Sequence, residues 1–362
     1  MLAERIEQGG QYGIGTSCGC SIAARQLWWL GNVGSNGGVW PCTICSHPQA
    51  AKSMTTILFA APNKDWEEFG APLEDAFKAE GLNASLVREA DPETVDYIVY
   101  APTGWLKDFS QFTNLKGVQS LWAGVEKIVD NPTLQVPLAR MVDSGLREGM
   151  VEYCVGHVLR YHLDMDQDIL RKDAKWTVHV PPLAKDRSVL VLGLGALGAA
   201  VAEALAKLNF DIHGWSRSPK SVPGVRCYSG EDSLAEALTV GEIVVLLLPQ
   251  TAGTINILNS ERLRLLPQGA RIINPGRGPL IDDDALLTAL DDGHVAHATL
   301  DVFWVEPLPE DHPYWSHRNV TVTPHIASDT RPDTAARLVA ENIHRAENGQ
   351  SMMFLVDRTV GY

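Results

Sequence analysis

From Thr55 onward the chain alternates short apolar runs with longer amphipathic ones. TILFAAP reads as a buried strand, WEEFGAPLEDAFKAEG as a helix with one apolar face, and NASLVRE, DYIVYAP, LKGVQSLWAG and VPLARMVD as further strands. Continuous apolar runs of strand length, separated by helical patterns, predict parallel strands joined by helical crossovers. A longer helix is predicted from about Arg147 through MVEYCVGHVLRYHLDMDQDILRKD, as the bridge to a second series. That series starts at VLVLGLGALG and runs through DIHGW, EIVVLLLPQT, RIINPGRG, AHATLDVFW and VTVTPHIA, with polar or glycine punctuation after each strand. Beyond Ser328 a last amphipathic helix, RPDTAARLVAENIHRAENGQ, is expected to return to the first series.

The expected fold is α/β with two doubly wound parallel-sheet domains. Residues 54–149 and 328–362 would form a flavodoxin-like substrate domain, interrupted by an inserted Rossmann dinucleotide-binding domain of residues 150–327. Residues 1–53 show no sustained period, are rich in Gly, Ser and Cys, and hold three tryptophans. They read as an extension, expected to be disordered, to a body that starts at Met54.

The glycines sharpen this outline. Gly193, Gly195 and Gly198 follow the apolar run VLVL at Gly-x-Gly-x-x-Gly spacing, with Ala196 and Leu197 between the last two. Such a turn brings a pyrophosphate against bare backbone and onto a helix N-terminus. An acidic residue normally meets the ribose hydroxyls at the end of the next strand. Here DIHGW ends in Ser216, Arg217 and Ser218, with Lys220 close by and no carboxylate among them. A hydroxyl and a guanidinium suit a 2′-phosphate, so NADPH is expected in preference to NADH.

Three chemically complementary residues punctuate successive later strands: Arg277 in INPGRG, Glu306 in LDVFWVEPLP and His325 in TVTPHIA. Each alone fits a turn or a structural role. Together, Arg277 offers a planar fork to a carboxylate and its neighbouring carbonyl. His325 can protonate that carbonyl, and Glu306 can orient the imidazole and favour its acid form. The set predicts reduction of a 2-oxo acid to a 2-hydroxy acid.

These residues, with WAGVEKI, GLREGMVEYCVGHVL, GWSRSPKSVPGV, LLLPQTAGT and the terminal VDRTVGY, resemble the D-isomer-specific 2-hydroxyacid dehydrogenases over essentially Thr55 to Tyr362. Within that family the likeness is greatest to enzymes that reduce glyoxylate and hydroxypyruvate. The resemblance implies that Arg277, Glu306 and His325 are catalytic, and that Asp301 holds the nicotinamide amide. It further implies a substrate-carboxylate loop at Ala123, Gly124 and Val125, and a pocket position for Tyr100. Pro249 and Thr254 of LLLPQTAGT, like Arg217 and Ser218, would lie on the cofactor. A homodimer joined near Val151 to Leu170 is the family expectation. Two departures bear on the pocket: Trp122 stands where relatives have glycine, and Glu126 where they have Asp. Trp122 either narrows the site toward two- and three-carbon acids or packs against the bridging helix. Two other readings stay open, an NADH-dependent dehydrogenase of larger D-2-hydroxy acids and a dinucleotide-sensing binding protein similar to corepressors of the same family.

Composition excludes more than it adds. The 362 residues leave room for two domains, and a net charge of −14 argues against nucleic acid or an anionic membrane as partner. Apolar runs such as IVVLLL are of strand length and too short to span a bilayer. Glu4 and Glu7 interrupt the positive start that a signal peptide needs. Cys154 and Cys227 read as reduced thiols, which fits a cytoplasmic protein. Cys42, Cys45 and His47 could bind zinc with Cys18 and Cys20, but the second pair departs from knuckle spacing, so no metal is expected.

Overall fold

The computed structural model describes residues 54–362. The expected disorder of the first 53 residues, and the zinc reading of Cys18, Cys20, Cys42, Cys45 and His47, lie outside the described residues.

The first apolar series forms β1 (Thr55–Ala60), α1 (Asn63–Ala79), β2 (Ala84–Val87), β3 (Tyr97–Tyr100), β4 (Gly117–Ser120) and β5 (Leu138–Ala139). These strands make a five-stranded sheet in the order β2-β1-β3-β4-β5, parallel at every pairing. That is the flavodoxin-like order. Leu73 and Phe77 of α1 pack with Ile57 and Phe59 of β1 and with Val339 and Ile343 of the last helix. The return of the chain after Ser328 is thus a shared core, made by burying one face of each helix.

The bridging helix, α2, runs from Ser144 to His162. It starts about three residues before Arg147, because the Asp143 carboxylate accepts hydrogen bonds from the Gly145 and Leu146 amides and caps it. It also stops short of the predicted end at Asp173. Asp164 adopts a left-handed φ of 50°, and Arg160 Nε donates to Asp166 Oδ1 at 2.8 Å across the break. Only a short α3 (Asp166–Ile169) follows. Met150, Cys154, Val158 and Tyr161 lie at helical spacing and pack against Val189 and Val191 of the second sheet.

That second sheet contains β6 (Ser188–Leu192), α4 (Ala196–Lys207), β7 (Asp211–Ser216), β8 (Val225–Ser229), α5 (Leu234–Leu238) and β9 (Ile243–Leu246). It continues through α6 (Ser260–Leu263), β10 (Ala270–Asn274), α7 (Asp283–Asp291), β11 (Val295–Leu300) and β12 (Val320–Val322), before α8 (Pro332–Glu347) closes the fold. Its order is β12-β11-β10-β9-β6-β7-β8, again wholly parallel. Val189 to Leu192 and Ile243 to Leu246 are completely buried, which is why these strands read as unbroken apolar runs. Strand order reverses between β6 and β9, so a crevice opens beyond their carboxyl ends, where ligands of such sheets sit.

Candidate active site

Every predicted site residue of the second sheet lies at its carboxyl edge. After β6, Gly193 has φ of 105°, and a side chain there would meet the Leu247 carbonyl oxygen at 2.6 Å. A Cβ at Gly198 would come within 1.7 Å of the Gly193 carbonyl oxygen, so α4 can pack onto the turn only through glycine. Gly195 is different. Nothing lies within 4 Å of the position its Cβ would take, which leaves open backbone beside the start of α4. No side chain caps that helix, and its first amides, at Ala196, Leu197 and Gly198, point to the open side as donors for an anion.

At the end of β7, Ser216 Oγ donates to the Ser218 carbonyl at 2.8 Å and fixes the turn. Arg217, Ser218 and Lys220 are exposed there. After β9, Thr254 Oγ1 donates to the Pro249 carbonyl at 2.7 Å and accepts from the Thr251 amide at 2.8 Å, which folds the loop in front of the crevice.

Arg277 follows β10 on a turn built by Asn274. That buried side chain donates through Nδ2 to the Arg277 carbonyl at 2.9 Å and accepts from the Gly276 amide at 3.1 Å. Arg277 Nε donates to Glu126 Oε1 at 2.9 Å, in the loop after β4 of the first sheet. A Cβ on Gly124 would sit 1.9 Å from Arg277 Nη2 and 2.6 Å from Glu126 Oε2, so the guanidinium lies directly on the backbone of the Ala123–Gly124–Val125 loop. A Gly124→Ala variant should therefore displace the guanidinium. The expected result is a fall of at least about ten-fold in kcat/KM for the expected 2-oxo acid at an unchanged melting temperature. Relieving the 1.9 Å contact moves the guanidinium by about an ångström or more, and a misplacement of that size costs up to about a hundred-fold. Steady-state kinetics and thermal unfolding on the same sample check it.

His325 and Glu306 meet between the ends of β12 and β11. His325 Nδ1 lies 2.8 Å from Glu306 Oε2, and Glu306 Oε1 accepts from the Phe303 amide at 3.0 Å. With the carboxylate accepting, Nδ1 carries a proton and Nε2 is the nitrogen left for chemistry. The imidazole is half exposed, and its backbone holds φ of 55°, a left-handed conformation that costs energy in a residue with a Cβ. Asp301 supports it. The Asp301 carbonyl accepts from the His325 amide at 2.8 Å, and its carboxylate accepts from Thr323 Oγ1 at 2.6 Å and the Ile326 and Ala327 amides at 2.8 and 2.9 Å. Tyr153 of α2 completes the support through a 2.8 Å hydroxyl contact with Thr323.

The structure thus brings Arg277 onto the Ala123–Val125 loop and His325 onto Glu306. Asp301 is fully buried, and its carboxylate serves the turn that carries His325. Tyr100, the last residue of β3, packs in the core, 2% exposed, with its ring 5.7 Å from Phe109, and burial raises its phenol pKa above the usual range. Trp122 is 36% exposed, with Lys127 Nζ 6.0 Å from its ring. Asn274, Thr323 and Tyr153 were not singled out from the sequence. Only Asn274 carried a local signal, an Asn before Pro-Gly where a side chain can close a turn. Among the described residues no group of three or more His, Cys, Asp or Glu could hold a metal ion, and no helix is long and apolar enough to cross a membrane.

Comparison with known proteins adds relatives to this geometry. Residues 155–327 match the family of the D-isomer specific 2-hydroxyacid dehydrogenase, NAD binding domain. The chain is 37% identical over 317 residues to a glyoxylate/hydroxypyruvate reductase A of Serratia proteamaculans, spanning 84% of this chain and 99% of that protein. It is 40% identical over 284 residues to the protein of that name from Yersinia enterocolitica, 76% of this chain and 90% of the relative. Among solved structures, a D-isomer specific 2-hydroxyacid dehydrogenase of Xanthobacter autotrophicus in complex with NADPH and MES superposes with a TM-score of 0.79 at 40% identity, covering 86% of this chain and all, 100%, of that one. An NADPH-dependent glyoxylate/hydroxypyruvate reductase of Sinorhizobium meliloti, in complex with NADP and sulfate, gives 0.75 at 30% identity, covering 85% and 100%.

Proposed function

The chain belongs to the D-isomer specific 2-hydroxyacid dehydrogenases, and from that membership we propose that it reduces glyoxylate or hydroxypyruvate with NADPH, giving glycolate or D-glycerate. The observation that carries the reading is the pairing of His325 Nδ1 with Glu306 at 2.8 Å, one strand away from an arginine laid on a bare backbone loop. The names of the reductases from Serratia and Yersinia support the substrate class.

The residues present fit the cofactor. The open face at Gly195 and the uncapped start of α4 suit a pyrophosphate, and Arg217 with Ser218 suits a 2′-phosphate where a carboxylate would repel one. NADPH bound there supplies the hydride that reduces C2. The rest is done by side chains of this chain. Arg277 and the amides of Ala123 to Val125 take the substrate carboxylate, and Arg277 also polarises the C2 oxygen. His325 gives its Nε2 proton to that oxygen, so the carbonyl gains hydride and proton and leaves as the alcohol. Glu306 keeps Nδ1 paired while the charge on the ring changes.

We assign residues 54–149 and 328–362 to the substrate domain and 150–327 to the nucleotide domain, in keeping with the two sheets and with α8 packing on α1. A homodimer is part of the proposal. Ile169, Leu170, Val178, Val180 and Leu183 are exposed beside Trp176, which is 96% exposed, on the stretch that follows α2. An apolar stretch of that kind asks for a partner, and a second copy continues the expected interface around α2. Light scattering on the purified protein reads the mass directly, and a monomer at micromolar concentration rejects this part. Cytoplasmic location is in keeping with the unpaired Cys154 and Cys227.

Turnover separates an enzyme from a dinucleotide sensor. Adding hydroxypyruvate or glyoxylate to protein with excess NADPH should consume many equivalents of NADPH per chain. Tight NADPH binding with no more than one equivalent consumed would instead favour the sensor.

A further inference from the structure

The segment after α8 is tied along the edge of the first sheet and ends on the second. The Arg140 amide donates to the Phe354 carbonyl at 3.0 Å, Val356 to the Leu138 carbonyl at 2.8 Å, and Arg358 Nη2 to the Val136 carbonyl at 2.9 Å. Asp357 then closes a compact turn. Its carboxylate accepts from the Thr359 amide and hydroxyl at 2.9 and 2.6 Å, which holds that carboxyl below the usual carboxylate range. Its amide donates to the Tyr362 carbonyl oxygen at 3.1 Å, and its carbonyl accepts from Gly361 at 3.0 Å.

This turn delivers Tyr362 to Arg217. Arg217 Nη2 donates to the Tyr362 hydroxyl at 2.9 Å, and the guanidinium carbon lies 5.3 Å from the centre of the phenol ring. The neighbouring Gly361 faces Thr251 in the loop after β9, 3.7 Å from where a Cβ would be. Nothing in the reading of Arg217 as a 2′-phosphate ligand calls for an aromatic residue from so far along the chain.

We propose that Tyr362 is the positioning residue for Arg217, holding its guanidinium ready for the 2′-phosphate of the cofactor. The proposal rests on the cofactor reading given above. A free surface arginine must give up rotamer freedom when it pairs with a phosphate. Tyr362 removes much of that freedom beforehand. Its ring lies within cation–π reach of the guanidinium and its hydroxyl takes one Nη2 proton, so the remaining N–H groups stay available for two phosphate oxygens. No other hydrogen bond to Arg217 is present among the described residues. The hydroxyl accepts from Arg217, so its own proton is also left for an anionic oxygen. Because the turn is anchored on β5, discrimination between the two cofactors is built partly by the first sheet.

Equilibrium binding tests this apart from catalysis. Calorimetric titration of the full chain with NADPH, NADH and 2′,5′-ADP is compared for the parent protein, Tyr362→Phe, Tyr362→Ala and Arg217→Ala. Tyr362→Ala should weaken NADPH and 2′,5′-ADP by about ten-fold, the scale of one immobilised long side chain plus its contact, and leave NADH within about two-fold. Tyr362→Phe keeps the ring and should lose about three-fold, the scale of one hydrogen bond between an arginine and a neutral hydroxyl. Equal weakening of NADPH and NADH makes the tail merely structural and overturns the proposal, as does unchanged binding of 2′,5′-ADP in both tyrosine variants. If Arg217→Ala abolishes the preference while the tyrosine variants keep it, only the role of Tyr362 fails. If Arg217→Ala also keeps the preference, the assignment of Arg217 itself is wrong.

Discussion

Replacing His325 with alanine is expected to lower kcat for hydroxypyruvate by about a thousand-fold, the middle of the range for a positioned general acid. NADPH affinity should stay within about two-fold, because the glycine turn, α4 and Arg217 that fit the cofactor lie on other strands. The physical reason is specific. Only Nε2 is left for the proton, since Nδ1 is held by Glu306, and the left-handed turn that aims the ring is fixed by four hydrogen bonds to Asp301. Alanine leaves the turn intact and removes the donor. Stopped-flow or steady-state rates, with NADPH binding measured on the same variant, separate the two effects. Retention of kcat within about ten-fold would remove His325 from the reaction, since no general acid is worth so little.

Arg277→Lys should cost nearly as much, by another route. Lysine keeps the charge but not the fork, and the native guanidinium is used on several sides: Nε on Glu126, Nη1 on the Gly276 carbonyl at 2.6 Å, and Nη2 on the face of Gly124. A lysine would leave Glu126 without its partner and could take only one substrate oxygen. The loss of one charge-assisted hydrogen bond, together with misplacement of the other, is worth about 3 kcal/mol, or some two orders of magnitude in kcat/KM. Cofactor affinity should again be unaffected. A variant within about five-fold of the parent would mean that the substrate carboxylate is bound elsewhere.

Much of the architecture was legible because parallel strands buried on both faces leave unbroken apolar runs, and glycine or polar residues must follow where each emerges. Gly193, Gly195 and Gly198, and the strand ends carrying Arg217, Arg277, Glu306 and His325, stand out for that reason. The end of α2 was not legible. DMDQDILRKD is compatible with a helix, and what breaks it is Asp164 in a left-handed conformation with Arg160 reaching across to Asp166. For Tyr100, periodicity in a doubly buried strand does not say which neighbours the ring takes, and its packing beside Phe109 is read only from the fold. The pairs that shape the site lie further out of reach: Glu126 and Arg277 are 151 residues apart, Arg217 and Tyr362 145 apart. No local pattern encodes such contacts. They appear only once both sheets are in place.

Specificity tests the account most directly. The measurement is kcat/KM for glyoxylate, hydroxypyruvate and phenylpyruvate in parallel, each with saturating NADPH and with saturating NADH. The arginine at the end of β7 and the loop lying close on Arg277 predict that NADPH with the two small acids exceeds every other combination by at least about ten-fold, or 1.4 kcal/mol of transition-state preference. A preference for NADH with the small acids would contradict the cofactor assignment, and a preference for phenylpyruvate with either cofactor would assign this chain to the dehydrogenases of larger D-2-hydroxy acids.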